Sequence, residues 1–292
     1  MRAIASKTYA ENVTYRFLRE RPDVNPISVV IPVCLQNTEM LDLFRANLGT
    51  FTHDSIGRII VICNRLSIME ASTLEALLQQ DSAAPIQVVN DKERSVAGAW
   101  NRGMEISIDA GIDFFLISAI DVRLTSSTLD VMLRFGEENL HVPAWSSTAN
   151  HELIGSPAPS VDRCDFSCVM LRRGTIEAHG WFDKEFKPAY FEDNDYATRL
   201  VLSQAFPQQV IGARHLHLGS ATIKLDAEMA HHVRHWFNIN GSRLLAKWGC
   251  RVDDYARVAA CCHNTPYNSG KPLSWWPEQD RPLYTASGGI HE

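Results

Sequence analysis

The sequence lacks any run of apolar residues long enough to cross a lipid bilayer, which takes about 20 residues in a helix. The best candidate, Phe114 to Ile120, has only the length of a strand and is bounded by Asp113 and Asp121. The first residues, Met1 to Lys7, also lack the apolar centre of a secretory signal peptide. We therefore expect a cytoplasmic protein without a transmembrane segment.

The chain also lacks paired cysteines and an excess of basic charge. Its seven cysteines stand at irregular positions without a Cys-x-x-Cys pair, which argues against a disulfide framework and a structural zinc site. The formal net charge of −6 provides no basic surface for phosphate backbones, so a nucleic-acid partner is not expected. Neither a Walker A loop nor the Gly-x-Gly-x-x-Gly dinucleotide motif is present.

The sequence does contain a regular alternation of apolar strands and helical patterns. The strand segments lack polar alternation, as in a parallel sheet buried on both faces, and are Ile27 to Val33, Arg58 to Cys63, Ile86 to Val89 and Asp113 to Ile117. The helical segments are Glu39 to Leu48, Ser67 to Gln80, Ser95 to Ala110 and Ser126 to Phe135. Such units predict an α/β fold with a doubly wound, mostly parallel sheet flanked by helices, which binds ligands beyond the carboxyl ends of its strands.

Both ends of the chain differ from this regular part. Residues 1–25 are polar and close in a turn-rich segment, and after about residue 140 strand-like pieces mix with short helices. A long helix is expected from Asp226 to Lys247, and an irregular tail rich in Pro, Trp and Gly from Cys261. The sequence leaves the oligomeric state open.

An acidic and aromatic segment, Phe182 to Leu200, runs from a loop into a helix. Glu192 and Asp193 fall where this helix should begin, beside its unpaired N–H groups and the positive end of its dipole. A carboxylate kept ionised there can act as a general base, with Glu192 and Asp195 orienting it or binding hydroxyl groups. The alternative reading is an N-terminal helix cap on a solvated loop.

Two further residues indicate a metal site. Asp121 follows the fourth predicted strand, where a carboxylate can bind a divalent cation that is itself held by a diphosphate. His217 precedes a Gly-Ser turn and is a candidate second ligand, since imidazole suits Mn²⁺ better than Mg²⁺. A turn or cap role for Asp121 and a structural role for His217 stay open.

The helix that begins near Ser95 is a candidate site for a phosphate or a base. Small residues at positions 97 to 99 allow a ligand or a neighbouring strand to approach its N-terminus closely. Arg94 precedes the helix and is suited to pair with a phosphate or stack on a base, although a solvated arginine in a polar loop is equally consistent with the pattern.

Together these motifs resemble the inverting GT-A glycosyltransferases of family 2, over roughly residues 26–250. The matching segments are Ser28 to Pro32, Val61 to Ser67, Val96 to Gly103, Ser118 to Asp121, Trp181 to Leu200, His217 to Ser220 and Lys247 to Gly249. The last two are similar to late motifs of bacterial and phage members, including rhamnosyltransferase-like ones. The chain departs from the family at Cys34-Leu35 (usually Tyr-Asn), Cys63 (usually Asp) and Ala119 (the first acidic residue of Asp-x-Asp).

The resemblance implies a role for each matching residue. Asp193 would be the base that deprotonates the acceptor hydroxyl, assisted by Glu192, and Asp121 with His217 would hold Mn²⁺ or Mg²⁺ as the cofactor. The residues expected to bind the donor are Pro32, Val33, Asn64, Arg94, Asn101 and Asp121. Those expected to contact the acceptor are Trp181, Tyr190 and Asp195.

The resemblance also implies the domain organisation and the reaction. Residues 1–25 would be an N-terminal extension, 26–225 a GT-A catalytic domain, and 226–292 a C-terminal helix with an irregular tail. The reaction would transfer a sugar from a UDP- or dTDP-sugar to an acceptor hydroxyl, and the first expectation for the acceptor is a glycan. The transfer would be a single displacement that inverts the configuration at the anomeric carbon. Two alternatives stay open: the same fold acting on DNA or another non-sugar acceptor, and a catalytically silent protein that binds sugar nucleotides or glycans.

Overall fold

The structure, a computed structural model, describes residues 27–91, 95–150, 164, 166–218 and 227–248. Some of the sequence predictions lie outside these residues. They are the N-terminal extension 1–25, the donor-binding role of Arg94, the Gly219-Ser220 turn after His217, and the irregular tail.

The described residues form strands and helices in close alternation. The strands are β1 (Ile27–Leu35), β2 (Ile56–Leu66), β3 (Ile86–Asn90), β4 (Phe114–Ser118), β5 (Val122–Leu124), β6 (Ala144–Asn150), β7 (Cys168–Arg172) and β8 (Gln208–His217). The helices are α1 (Thr38–Leu48), α2 (Ala71–Leu78), α3 (Val96–Asp109), α4 (Thr128–Glu138), α5 (Arg173–His179), α6 (Glu192–Leu202) and α7 (Ala227–Lys247). No helix in this part of the chain combines the length and the apolar character needed to cross a membrane.

The strands belong to one sheet in the order β3-β2-β1-β4-β7-β6-β8-β5. Strands β1 to β4 pair in parallel, and β1 lies between β2 and β4. Strand β7 is antiparallel to β4 and β6, β6 pairs parallel with β8, and β5 pairs antiparallel with β8. This sheet, with helices packed against it, confirms the predicted α/β fold class. It also brings the carboxyl ends of β1, β2, β3 and β4 to one edge, where such sheets bind ligands.

Strand β1 separates two layers of the core. Val29 lies in one buried cluster with Phe44 of α1, and Val30 lies in another with Met104 of α3. A Cβ atom added to Gly103 of α3 would stand only 2.3 Å from Val30 Cγ1. Glycine at this position therefore lets α3 pack directly on the sheet, which fixes where the N-terminus of α3 meets the sheet edge.

Strand β6 is the main element that the sequence pattern does not predict. Its centre, Ser146 to Thr148, is polar and interrupts any apolar run, yet all of it is buried. The Ser147 hydroxyl lies 2.8 Å from Nδ1 of the fully buried His215 on β8. Partners inside the fold thus replace the water that these groups would otherwise require.

Candidate active site

Asp121 and His217 lie side by side beyond the carboxyl end of β4. Strand β5 pairs with the end of β8, so that Val122 faces His217 across the antiparallel ladder. The Leu218 N–H extends this pairing by donating to the Asp121 carbonyl oxygen at 3.2 Å. As a result Asp121 Oδ1 and His217 Nε2 stand 3.3 Å apart, with the carboxylate almost fully buried.

A hydrogen-bond network around His215 holds the turn that carries Asp121. The Ala119 N–H donates to the Ser167 carbonyl oxygen at 2.8 Å. The Ser167 hydroxyl lies 3.0 Å from His215 Nε2, whose other ring nitrogen meets Ser147. Because these groups satisfy one another around the fully buried His215, the Asp121 carboxylate is presented on a hydrogen-bonded support.

The Asp121–His217 pair fits the ligand preferences of a divalent cation that also binds phosphate oxygens. No cluster of three or more His, Cys, Asp or Glu side chains suited to a metal ion occurs in the described part of the chain. One carboxylate and one imidazole can nevertheless suffice where a bound diphosphate completes the shell, and the imidazole favours Mn²⁺ over Mg²⁺.

Asn64 is a second polar point at the same edge of the sheet. Its Nδ2 donates to the Ser95 carbonyl oxygen at 3.2 Å, while its buried Oδ1 has no hydrogen-bond partner among the described residues. The N–H of Val96 donates to the Pro188 carbonyl oxygen at 2.9 Å. These contacts bring together Asn64, the start of α3 and the loop that leads to α6. A buried amide oxygen without a hydrogen-bond partner suits an N–H donor of a bound base.

The ends of β1 and β2 lie next to each other, with Val33 in register with Cys63. The Val33 side chain is only 2% exposed and belongs to the core, whereas Pro32 is half-buried. A donor contact of Val33 would therefore involve its backbone. Burial, together with the neighbouring Cys34, raises the pKa of the Cys63 thiol to about 12. This chain therefore has a neutral thiol at the position where the family that it resembles has Asp.

Asn101 holds the loop that leads to α6. Its Nδ2 donates to the Phe182 carbonyl oxygen at 2.8 Å, and its Oδ1 accepts the Phe182 N–H at 3.0 Å. One backbone unit thus engages both polar atoms of this buried amide. The geometry shows that Asn101 holds the Phe182 backbone, and the donor contact expected from the sequence stays a prediction.

The carboxylates in the first turn of α6 differ in their surroundings. Glu192 is 5% exposed, and its Oε2 has no hydrogen-bond partner within the described ranges. Asp193 is half-buried, and its Oδ1 accepts the Asn194 N–H at 2.8 Å. Asp195 is fully buried. Of these carboxylates, Asp193 is the one that a ligand can reach, and it lies at the positive end of the helix dipole.

Asp195 is the centre of an ion-pair network inside the protein. Arg199 Nη2 donates to its Oδ2 at 2.7 Å, and Lys247 Nζ lies 2.8 Å from its Oδ1. The Trp248 indole also donates to Oδ1, at 3.2 Å. Both carboxylate oxygens are thus engaged inside the protein, and the acceptor contact expected of Asp195 stays a prediction.

Helix α7 clamps the loop before α6, a feature that the sequence analysis missed. Tyr190 and Phe191 both have a φ angle of 73°, which bulky residues rarely adopt. The amide of the fully buried Asn240 donates to the Ala189 carbonyl oxygen at 3.0 Å. The Phe237 ring lies 5.4 Å from the ring of Tyr190 and 4.8 Å from that of Phe191. These contacts stabilise the unusual backbone, and no local sequence pattern signals them because Ala189 and Asn240 are 51 positions apart.

Trp181 lies in the wall of a cleft of about 530 Å³ between α3 and the segment 181–185. The residue is 37% exposed, while its carbonyl oxygen accepts a hydrogen bond from Arg199 Nη1 at 2.7 Å. The wall of this cleft does not include Asp121 or His217. The structure thus places the two predicted metal ligands together, and the predicted acceptor aromatic Trp181 in a separate depression.

Burial, together with the neighbouring charge of Asp193, raises the pKa of Glu192 well above its ordinary value. The folded protein therefore binds this proton more tightly than the unfolded chain, and the stability gained from it falls as pH rises above the unfolded pKa. We expect Glu192→Gln to remove this dependence. Relative to the wild type, the variant should gain up to about 1.4 kcal/mol in free energy of unfolding per pH unit above about pH 5.

Urea unfolding of both proteins between about pH 5 and 8 measures this difference. A stability difference that stays constant across the range would mean that Glu192 is already ionised in the folded protein.

No protein-family profile and no curated protein sequence matches the chain. Solved structures do match its fold. S. aureus TarS has a TM-score of 0.54 and 11% identity, covering 85% of this chain and 44% of that chain. Mannosyltransferase PcManGT from Pyrobaculum calidifontis, in complex with GDP-Man and Mn²⁺, has a TM-score of 0.54 and 13% identity, and the match covers 88% of this chain and 76% of that chain. TarS 1-349 in complex with UDP has a TM-score of 0.50 and 13% identity, covering 81% and 70%.

At these identities the likeness shows a shared fold. The chain spans less than half the length of the longer TarS chain.

Proposed function

We propose that this chain is an inverting GT-A glycosyltransferase of family 2, which moves a sugar from a nucleoside-diphosphate sugar to an acceptor hydroxyl. The observation that carries the proposal is the 3.3 Å pairing of Asp121 with His217 beyond β4, in a fold shared with TarS and PcManGT. Those structures contain UDP, or GDP-Man with Mn²⁺. A carboxylate–imidazole pair at this sheet edge suits the same kind of ligand here.

The donor would lie across the carboxyl ends of the parallel strands. The Oδ1 of Asn64, which has no hydrogen-bond partner among the described residues, would accept an N–H of the base, and the backbone at Pro32 and Val33 would line its other side. Asp121 and His217 would hold Mn²⁺ or Mg²⁺ against the diphosphate. When bound, this ion supplies positive charge that stabilises the departing diphosphate.

The transfer itself is a single displacement. Asp193 accepts the proton of the acceptor hydroxyl as the hydroxyl oxygen bonds to the anomeric carbon. The bond from that carbon to the diphosphate breaks, and its electron pair leaves with the diphosphate. Attack from the face opposite the leaving group inverts the configuration. Burial and the neighbouring Asp193 raise the pKa of Glu192, which favours the protonated form of Glu192 beside the carboxylate proposed as the base.

A second candidate function is a protein that binds sugar nucleotides without transferring the sugar. Two observations favour it: Ala119 replaces the first acidic residue of the family motif, and the described residues hold no cluster of three metal-ligating side chains. Slow donor hydrolysis without an acceptor separates the two functions, because a silent binding protein releases no sugar. Salt-dependent DNA binding would instead favour DNA as the acceptor.

Asp121→Ala tests the proposed donor site. We expect the variant to lose about 10–100-fold or more in Mn²⁺-dependent affinity for the donor, because it removes a direct ligand of the ion. Isothermal titration calorimetry with UDP- and dTDP-sugars, with and without Mn²⁺, measures the loss. Asp109→Ala, which removes an exposed carboxylate at the far end of α3, is the matched control. If the donor affinity of the wild type is the same with and without Mn²⁺, the assignment of a metal ion to this site is wrong.

A further inference from the structure

Asp121 sits on a tight turn of four residues between β4 and β5. The Val122 N–H donates to the Ala119 carbonyl oxygen at 3.4 Å, so Ile120 and Asp121 are the two central residues of the turn. The plane of the peptide bond that joins these two residues can flip, and the flip converts one common turn type into the other. Because this flip changes the φ angle of Asp121, the direction of its carboxylate depends on what holds the peptide bond.

A side-chain amide on α1 holds this peptide bond. Asn47 Nδ2 donates to the Ile120 carbonyl oxygen at 3.0 Å, and the bond is buried. The next carbonyl oxygen along the chain, that of Asp121, accepts the Leu218 N–H at 3.2 Å. Both peptide planes that flank the Asp121 Cα atom are thus held. Only the φ and ψ angles of Asp121 lie between these planes, so its side chain leaves the turn in a fixed direction.

The amide of Asn47 lies among apolar neighbours. The other buried side chains of α1 are apolar, and they are Met40, Leu41, Phe44 and Leu48. Asn47 is only 2% exposed, and an amide buried in this way is costly unless its polar atoms find partners. Its Oδ1 accepts Arg123 Nε at 3.3 Å, which leaves Nδ2 directed at Ile120. Both partners therefore lie within two residues of Asp121, although 73 positions separate Asn47 from Ile120.

The loop after α1 is attached to the same segment by a second, independent contact. Thr50 Oγ1 donates to the Asn47 carbonyl oxygen at 2.7 Å and accepts the Leu124 N–H at 3.0 Å. The end of α1 thus stays joined to β5 through groups that a change of the Asn47 side chain leaves in place. A substitution at Asn47 is therefore a local change to the turn.

We propose that Asn47 is a positioning residue for the metal site. Its amide holds the central peptide bond of the turn and, through it, the Asp121 carboxylate beside His217, so that both groups bind the same cation. The inference rests on the proposed function, because it gives Asn47 a part in the Asp121–His217 site. Side chains that orient the ligands of a metal typically contribute about 10–100-fold to its affinity.

The test compares Asn47→Leu with Thr175→Val in the full chain. Leucine is similar in size to asparagine and suits the apolar face of α1, but it cannot donate to the Ile120 carbonyl oxygen. Thr175 Oγ1 also donates to a buried backbone carbonyl oxygen, that of Pro143, at 2.6 Å. Thr175 lies on α5, which begins at the opposite end of β4 from Asp121. Thr175→Val therefore removes an equivalent hydrogen bond away from the site.

The measurement is the affinity for UDP by calorimetry, with and without Mn²⁺. In Asn47→Leu, we expect the affinity with Mn²⁺ to fall about tenfold or more and the affinity without Mn²⁺ to equal that of the wild type. Thr175→Val should bind UDP like the wild type under both conditions, even where urea unfolding shows that both variants lose stability. If Asn47 acts through Asp121, Asn47→Leu should have no further effect in the Asp121→Ala background.

The proposal is overturned if Asn47→Leu keeps the Mn²⁺-dependent affinity, if Thr175→Val loses as much of it, or if Asn47→Leu still weakens binding in Asp121→Ala. Should Asn47→Leu fail to unfold cooperatively in urea, Asn47→Asp replaces it, because aspartate has nearly the same shape and no N–H for Ile120. A wild type whose UDP affinity is the same with and without Mn²⁺ refutes the metal site itself, and with it the role of Asn47. A loss in Asp121→Ala without a loss in Asn47→Leu refutes only the role of Asn47.

Discussion

Replacing Asp193 by asparagine is expected to reduce sugar transfer by about 10²–10⁴-fold, the usual cost of removing a general base. Asparagine has nearly the same shape, and its Oδ1 can still accept the Asn194 N–H that Asp193 accepts at 2.8 Å. The start of α6 should therefore keep its conformation. What the variant loses is the capacity to take a proton from the acceptor hydroxyl, so donor affinity should be unchanged.

The measurement is the transfer rate at saturating donor, together with donor affinity by calorimetry. Asp130→Asn is the matched control, because Asp130 is also an acidic residue in the first turn of a helix, α4, and is exposed. Asp193→Asn with full transfer activity would exclude Asp193 as the base. If the variant loses donor binding as well as transfer, the substitution has disturbed the site as a whole and has not simply removed a base.

The second large effect is expected on stability, from Asp195→Ala. Asp195 is fully buried and binds both Arg199 and Lys247, which are themselves only 12% and 21% exposed. Removing the carboxylate leaves these cations without their shared partner, and breaking a buried pair from one side typically costs 3–5 kcal/mol. Lys247 keeps Asp183 at 2.6 Å, so we expect the lower end, about 3 kcal/mol.

Urea unfolding at neutral pH gives the free energy of unfolding of wild type and variant. Asp109→Ala is the control for a surface carboxylate, and its free energy of unfolding should stay within about 0.5 kcal/mol of the wild-type value. If Asp195→Ala leaves stability unchanged but raises the acceptor KM, the carboxylate faces the acceptor, as the sequence resemblance first implied.

The parallel part of the sheet was predictable because a strand that is buried on both faces consists of a continuous run of apolar residues. Val29 and Val30 face opposite sides of β1, and both are fully buried, so the strand reads as a continuous apolar run. Strand β6 has no such apolar run. The hydrogen-bond partner of its buried Ser147 is His215, on a strand that follows far along the chain, so a short window of sequence does not contain that partner.

The candidate site was predictable to the extent that strand ends reveal it. Asp121 could be singled out because it follows an apolar strand directly, and His217 because it precedes a turn; the β5–β8 pairing then brings them to 3.3 Å. The role of Asn101 was not predictable, since its partner is the backbone of Phe182, 81 positions away. The clamp formed by Asn240 depends on similarly distant backbone groups. Side chains that position other segments leave no local pattern, whereas reactive groups at strand ends do.

The contacts of Asn240 and Phe237 also limit how the protein can be shortened for expression or fragment studies. A cut at residue 225, the boundary that the sequence resemblance implied, would separate two aromatic residues with left-handed backbone angles from the groups that stabilise them. The resulting fragment would retain all the strands that the structure describes, β1 to β8. It would nonetheless lose the support of the loop in front of Asp193. A shortened chain meant to keep the acceptor side intact therefore needs to extend at least through Trp248.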